Sequence, residues 1–263
     1  MLDGSDFQPV LLDVRWSGPG SADGRAEFEK GHIPGARYVD LGDVLAEPAG
    51  DTGGRHPLPH RERFERGMRA AGVRRNHRIV VYDDWNSISA ARLWWLLRHH
   101  GHDDVLVLDG GWQAWDGNRA PGSGRDVEVG DFVAQVGRLR VLDAEQAAEH
   151  SKTGVLLDGR PASRYRGEDE PIDPVAGHIP GARSLPAHDL IGEDGKLLPP
   201  EELRAKFHDV GVVEPGSGAS YCGSGVQACF LALAAAVAGI DEDFGVYAGS
   251  WSDWVSDPAR PVA

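Results

Sequence analysis

The heptapeptide GHIPGAR occurs twice in this chain, at Gly31 to Arg37 and again, unchanged, at Gly177 to Arg183. Each copy follows an apolar run that ends in an aspartate with an arginine two residues later, VLLDVR at 10–15 and VLLDGR at 155–160. Further along, the segments 80–115 and 219–254 match in the order of their tyrosines, glycines and tryptophans. This repeat is too long for a solenoid unit, so it predicts two tandem copies of one domain.

Short β-rich runs such as VLLDV, RIVVYD and DVLVLDGG alternate with helical stretches in both copies. Strands separated by helices predict an α/β fold of two three-layer domains, each with a central, mostly parallel sheet flanked by helices. We place the domains at 1–120 and 138–263, and the Gly-, Pro- and charge-rich segment 121–137 between them as a surface linker. In RLWWLLRHHGH (92–102), the arginines and histidines are expected on a solvent-exposed face opposite buried tryptophans.

Composition narrows the classes of function. The chain of 263 residues has a formal net charge of −14, which would repel nucleic acid phosphates. Its start lacks the basic and apolar segments of a secretory signal, and no run is long enough for a membrane span, so we expect a cytoplasmic protein with no membrane partner. Two cysteines at 222 and 229 make neither a disulfide framework nor a zinc site.

The first cysteine lies in a loop typical of an anion cradle. GASY (218–221) is predicted to end a central strand, and VQACFLALAAAVAG (226–239) to begin a helix directly after the loop. Gly223 and Gly225 allow successive N–H groups to point at one site, and the helix adds its positive dipole end. A thiolate at Cys222 would be stabilised there and act as a nucleophile, whereas Cys229 is expected to be a buried apolar residue of the helix.

Together with GHIPGAR, GGWQAW and GSWSDW, the loop CGSGV (222–226) resembles that of the tandem-domain rhodanese family of sulfurtransferases. The resemblance implies two rhodanese-like domains and transfer of a sulfur atom from thiosulfate or 3-mercaptopyruvate to cyanide or a thiol. It implies a Cys222 persulfide as intermediate and neither metal nor organic cofactor. Asp83 stands in the first copy where Cys222 stands in the second, so only the C-terminal domain is expected to be catalytic.

The resemblance also assigns roles to individual residues. Ser224 matches a loop serine that the family links to a histidine and an aspartate, here His56 with Asp43 or Asp40. Arg164 matches a substrate arginine, but the position of a second one holds Ile172 and Asp173. The remaining substrate contacts are expected from the loop that follows the cysteine, at Gly223, Gly225, Val226, Gln227 and Ala228.

Two other functions compete with sulfur transfer. A cysteine-dependent phosphatase of the same fold would need an arginine at the end of the loop, where Ala228 and Cys229 stand instead. A non-catalytic sulfur-carrier or binding module would accept sulfur on Cys222 without turnover. The sequence leaves the preferred donor open between thiosulfate and 3-mercaptopyruvate, and the acceptor open among cyanide, small thiols, thioredoxin and a biosynthetic partner protein.

Overall fold

A computed structural model describes residues 9–50, 53–124, 126–135 and 137–263. The chain divides into two compact units, one formed by the chain up to Leu45 with Pro59–Arg138, the other by Ala46–Leu58 with Leu139–Ala263. The division into 1–120, 121–137 and 138–263 stays a prediction. Within the first unit, part of 121–137 is packed: Phe132 is buried, and its N–H donates to the Val73 carbonyl oxygen at 3.1 Å.

The first unit contains a parallel four-stranded sheet among its described residues, with the order β2-β1-β3-β4. Its strands are β1 (Val10–Asp13), β2 (Arg37–Tyr38), β3 (Ile79–Tyr82) and β4 (Val105–Val107). Its helices are α1 (Gly24–Lys30), α2 (Leu41–Val44), α3 (Arg61–Ala70), α4 (Ile88–His99) and α5 (Gly111–Ala114). Helix α4 packs on β3 and β4, which buries nearly all of its residues.

The sheet of the second unit has the order β5-β9-β8-β6-β7, again with parallel pairing throughout the described strands. Read from the other edge, β7-β6-β8-β9 matches the order of the first sheet, and β5 is an additional strand beside β9. The strands are β5 (Val141–Leu142), β6 (Val155–Asp158), β7 (Arg183–Ser184), β8 (Gly218–Tyr221) and β9 (Gly245–Tyr247). The helices are α6 (Ala144–Thr153), α7 (Ala162–Tyr165), α8 (Pro200–Asp209), α9 (Val226–Val237) and α10 (Ser250–Trp254), with a 3-10 helix at Ala187–Leu190. The predicted pair of α/β units with parallel sheets flanked by helices is confirmed.

The repeated motifs build the same internal frame in both units. In the first, Arg15 donates to the Asp13 carboxylate and to the Gly31 carbonyl oxygen, while the Tyr82 hydroxyl accepts from the Ile33 N–H at 3.2 Å. These bonds tie the GHIPGAR turn to the ends of the two central strands. The second unit repeats them with Arg160, Asp158, Gly177, Tyr221 and Ile179.

The prediction of a solvent-exposed polar face on α4 was wrong. Arg92 is fully buried, and His99, His100 and His102 are each less than a tenth exposed. Arg92 reaches the Leu45 carbonyl oxygen, and the His100 ring bonds to the Leu96 carbonyl oxygen at 3.0 Å. Burial also lowers the pKa of His100 to about 4, so its ring enters the core uncharged. In the described part of the chain, no helix combines the length and apolarity needed to cross a membrane.

Candidate active site

Cys222 lies at the carboxyl end of β8, as the sequence predicted. In the second sheet the chain turns one way from β6 to β7 and the other way from β8 to β9, so the switch of direction falls between β6 and β8. Open parallel sheets bind ligands beyond the carboxyl ends of strands at such a switch point. The Cys222 side chain is buried, with 2% of its surface exposed.

The loop after Cys222 directs a backbone N–H at the thiol. The Gly225 N–H lies 3.1 Å from Cys222 Sγ, and α9 begins one residue later. Gly225 has a φ of 86°, and a Cβ there would overlap the Ala248 carbonyl oxygen, so only glycine fits this turn. Of the successive N–H groups that were predicted to point at this site, the described residues show one, and the N-terminus of a twelve-residue helix adds positive potential behind it.

A second backbone segment, at the start of α10, holds the cysteine loop from the other side. The Cys222 N–H donates to Ser250 Oγ at 3.0 Å, and the N–H groups of Trp251 and Ser252 donate to the carbonyl oxygens of Cys222 and Gly223. Ser250 adopts a φ of 57°, a conformation that costs free energy in a residue other than glycine. Sequence reasoning missed Ser250, because nothing in GSWSDW reveals a left-handed serine.

The first unit fills the equivalent place with a carboxylate. Asp83 follows β3, and its Oδ1 accepts from the N–H groups of Trp85 and Ser87 at 2.9 Å while Oδ2 accepts from Ala90 at 2.8 Å. Burial raises the pKa of Asp83 to about 6, against the opposing effect of these backbone bonds. The cradle of the first unit is thus occupied by its own side chain.

Arg164 lies on α7 and is buried beside two acids. Its Nε and Nη2 donate to the Glu170 carboxylate at 3.0 and 2.6 Å, and Nη2 also reaches Asp173 Oδ2 at 2.9 Å. Burial opposes the charge on Glu170, but the bonds from Arg164 and from the Asp173 N–H outweigh it and hold the pKa of Glu170 below its usual value. The Nε and Nη2 edge of the guanidinium is therefore used by these acids. Its Nη1 lies near Gly223, 3.4 Å from the position that a Cβ on Gly223 would take.

A second arginine, Arg55, also reaches this loop. Its Nη1 forms an ion pair with Asp173, and its Nη2 lies 2.9 Å from the position of a Cβ at Gly223. In GRHPLP, the sequence pointed to the neighbouring His56 and gave Arg55 no role. Arg55 precedes Gly223 by more than half the chain, so no local sequence pattern connects them. The one available signal was a cationic side chain next to the expected site residue His56 in GRHPLP.

The other predicted site residues are distributed over both units. Ser224 is buried in the loop itself, with 7% of its surface exposed, and His56 adjoins Arg55 in the segment Ala46–Leu58 of the second unit. Asp43 belongs to α2 of the first unit, where its N–H caps onto Asp40 Oδ1. The chain of Ser224, His56 and Asp43 stays a prediction.

The loop residues that begin α9 differ in exposure. Val226 and Ala228 are buried, whereas Gln227 is half-buried. Cys229 is fully buried, and its thiol donates to the Gly225 carbonyl oxygen at 3.3 Å. This bond places Cys229 among the supports of the cysteine turn, in keeping with its expected structural position.

Known proteins resemble this chain over nearly its full length. The model of the rhodanese-like domain matches residues 1–118 and 143–257. A protein of Pseudomonas aeruginosa named "Probable 3-mercaptopyruvate sulfurtransferase" is 42% identical over 262 residues, which cover 97% of this chain and 92% of the relative. The thiosulfate sulfurtransferase of Rattus norvegicus is 36% identical over 255 residues, covering 93% and 84% of the two chains.

A solved structure gives the same result. The crystal structure of SseA from Escherichia coli, titled as a study of the rhodanese fold and of 3-mercaptopyruvate sulfotransferases, superposes with a TM-score of 0.78 at 32% identity. The superposition covers 92% of each chain. Both copies of the repeat therefore fall within the matched regions.

Proposed function

This chain belongs to the rhodanese family of sulfurtransferases, and from that premise we propose that Cys222 is its nucleophile and carries the transferred sulfur as a persulfide. The chain is a transferase of the 2.8.1 class. The proposal rests on one observation, the Cys222 thiol at a sheet switch point with the Gly225 N–H 3.1 Å from its sulfur. A hydrogen-bond donor at this distance stabilises a thiolate, which is the reactive form of cysteine.

The first half-reaction loads the enzyme. With thiosulfate, the Cys222 thiolate attacks the outer sulfur, a new S–S bond forms, and the bond to the sulfonate sulfur breaks with its electron pair leaving as sulfite. With 3-mercaptopyruvate, the C–S bond breaks instead, and the electron pair leaves as the enolate of pyruvate, which takes up a proton. Either donor leaves the Cys222 persulfide anion, and the Gly225 N–H stabilises its charge.

The second half-reaction removes the outer sulfur from the Cys222 persulfide. A nucleophile such as cyanide or a thiolate attacks the outer sulfur of the persulfide, forms a bond to it, and displaces the Cys222 thiolate. The first half-reaction converts the Cys222 thiolate to a persulfide and the second restores the thiolate, so a full cycle leaves the oxidation state of the protein unchanged. The proposed chemistry therefore calls for no metal and no organic cofactor. We propose cyanide and thiols, thioredoxin among them, as acceptors; the cytoplasmic location predicted from the sequence stays a prediction.

Arg164 is the proposed contact for the oxyanion of the donor. Its buried guanidinium has Nη1 directed toward Gly223, next to the nucleophile, and a planar guanidinium suits a carboxylate or a sulfonate. The rival reading, a sulfur carrier without turnover, shares the loading step and differs only in the discharge. Discharge is therefore the step that the experiment must measure.

The test is steady-state turnover of the purified protein with thiosulfate and with 3-mercaptopyruvate, each with cyanide as acceptor. Cys222→Ser should abolish turnover on both donors, whereas the control Cys229→Ala should retain it. Intact-protein mass should show one added sulfur after donor alone and its loss after cyanide. Loading without turnover would support the carrier instead, and turnover that persists in Cys222→Ser would refute the assignment of the nucleophile.

A further inference from the structure

A cavity of about 380 Å³ lies beside the GHIPGAR turn of the first unit. All of its described lining residues belong to that unit, whereas Cys222 belongs to the second. The volume is within the range of small-molecule sites, roughly 300 to 1,000 Å³. The side chains that matter for binding are Arg15, Glu27, Lys30, Trp112, Arg119 and Pro121.

Trp112 of GGWQAW lines this cavity with a partly exposed ring, and its indole N–H has no acceptor among the described residues. The equivalent residue of the second unit, Trp251, is fully buried, and its Nε1–H donates to the Val175 carbonyl oxygen at 2.9 Å. Glu29 stands in the place of Val175, two residues before GHIPGAR, but its carbonyl oxygen accepts from the Gly122 N–H at 2.8 Å. The first unit therefore leaves an indole donor at the cavity that the second unit uses internally.

The cavity also contains a cation whose charge is not matched. Arg15 pairs with Asp13 at 2.9 Å, and Lys30 pairs with Glu27 at 2.5 Å. Arg119 is exposed and forms no ion pair within the part of the chain that the structure describes. Since the whole chain carries a formal charge of −14, an unpaired cation next to a free indole N–H is a local feature that favours an anion.

The Arg119 side chain is held at the cavity although it is exposed. Its guanidinium carbon lies 4.5 Å from the centre of the Trp112 ring, and its Nη2 donates to the Trp115 carbonyl oxygen at 3.3 Å. The next residue, Ala120, exchanges two backbone hydrogen bonds of 2.9 Å with His32 of GHIPGAR. A guanidinium has five N–H hydrogens, so most of the Arg119 donors remain available to a ligand.

We propose that this cavity binds a small organic anion, whose carboxylate or phosphate group accepts hydrogen bonds from the Arg119 guanidinium and the Trp112 indole N–H. A planar guanidinium presents paired donors that suit either oxyanion. The apolar body of the ligand packs against Pro121. The site belongs to the unit that lacks the cysteine, and the proposal does not depend on sulfur transfer.

Indole N–H resonances of the ¹⁵N-labelled full chain give a local readout of binding. The chain has eight tryptophans, and the resonance missing from Trp112→Phe identifies that of Trp112. Titration with benzoate should shift this resonance in a saturable way with a Kd on the order of 1 to 10 mM, because few hydrogen bonds and little buried area support the complex. Benzamide has a similar shape without the charge and should shift it far less.

Variants at Arg119 test the contribution of the cation. Arg119→Met should raise the Kd for benzoate about 5- to 20-fold, and Arg119→Lys should raise it less, because a charge-assisted hydrogen bond is lost in the first and partly kept in the second. Arg78→Met is the matched control, since Arg78 is an exposed arginine of the same unit that pairs with Asp104 away from the cavity. Its Kd should equal that of the wild type. Phenyl phosphate compared with benzoate shows which oxyanion the site prefers.

Three results would overturn the site. They are equal shifts with benzoate and benzamide, an unchanged Kd in Arg119→Met, and the absence of a saturable shift with either benzoate or phenyl phosphate up to about 50 mM. Cys222→Ser should bind benzoate as tightly as the wild type. Failure of this site and failure of the sulfurtransferase function are therefore detected by different measurements, the Trp112 resonance and turnover.

Discussion

The Asp83 loop and the Cys222 loop are the same structural device with different occupants. Both follow a central strand, both deliver an N–H from a left-handed residue at the start of a helix, and both are bound by the N–H of a tryptophan at the start of the next helix. Among the residues that the structure describes, three N–H groups bind the Asp83 carboxylate, whereas one lies at the Cys222 sulfur. A frame that binds an internal carboxylate in one copy thus holds the proposed nucleophile, Cys222, in the other.

The difference lies in what surrounds the occupant. Gly223 follows the cysteine and leaves room for two arginines, whereas Asp84 follows Asp83 and adds a second acid. Burial raises the pKa of both neighbouring carboxyls in the first unit. In their ionised forms both carboxylates repel an incoming anion. The two copies share the turn and differ in the side chains beside it.

The largest expected effect comes from moving the nucleophile. Asp83→Cys in a Cys222→Ser background should remain at least about a thousandfold below wild-type turnover, because a thiol alone lacks donor binding and because Asp84 repels an oxyanion. Steady-state assays with both donors measure this. Recovery of even a few per cent of wild-type turnover would show that the cradle, rather than its neighbours, determines reactivity.

Asp83 should make the stability of the protein depend on pH. The pKa of Asp83 in the folded protein, about 6, is above its ordinary value, so the stabilisation associated with its proton is full below about pH 4 and is lost as the pH rises through 6. Asp83→Asn does not titrate. The free energy of unfolding of the wild type minus that of Asp83→Asn should therefore fall by about 2 to 3 kcal/mol between pH 4 and pH 7.

Urea unfolding of both proteins across this range measures the difference, with Asp103→Asn, an exposed surface change, as control. Parallel stability curves for the wild type and Asp83→Asn would contradict the prediction. They would mean that the backbone N–H groups fully offset the cost of burying this carboxylate.

The smallest expected effect concerns the support of the reactive loop. Ser250→Ala removes the acceptor of the Cys222 N–H, and a lost hydrogen bond of this kind costs about 1 kcal/mol. We expect kcat/KM to fall about 3- to 10-fold. Ser256→Ala removes a comparable bond at the end of the same region, to the Asp253 carbonyl oxygen, and should leave kcat/KM unchanged. Equal losses in both variants would show a general loosening rather than a specific support.

The sequence predicted the parts of this molecule that depend on local pattern. The repeat of GHIPGAR identified two related units, and the sequence GASY-CGSGV placed Cys222 between a strand and a helix, where the structure has it. Gly223 and Gly225 were expected to allow backbone angles that direct N–H groups at one site, and Gly225 has a φ of 86° with its N–H at Cys222 Sγ. These features are set by neighbours a few residues apart.

Contacts between distant residues were not predictable in the same way. Arg55 contacts Gly223 and Asp173, which follow it by more than a hundred residues, and a pattern of neighbouring residues does not encode such a tertiary contact. The burial of Arg92 and of the histidines on α4 was missed because their polarity indicated solvent, while the tertiary packing supplied carbonyl acceptors.

The segment Ala46–Leu58 has a consequence for how such a protein can be divided. It comes from the first half of the sequence but belongs to the second unit, where its backbone N–H groups bind Ser252 and Asp253 and its Arg55 lies beside Gly223 of the cysteine loop. A fragment that starts at Leu139 would contain Cys222 and Arg164 but would lack the segment Ala46–Leu58 and, with it, Arg55. The two repeats are therefore not independent pieces of the sequence: a cut placed between them removes from the second unit a segment that lies within the first half of the chain.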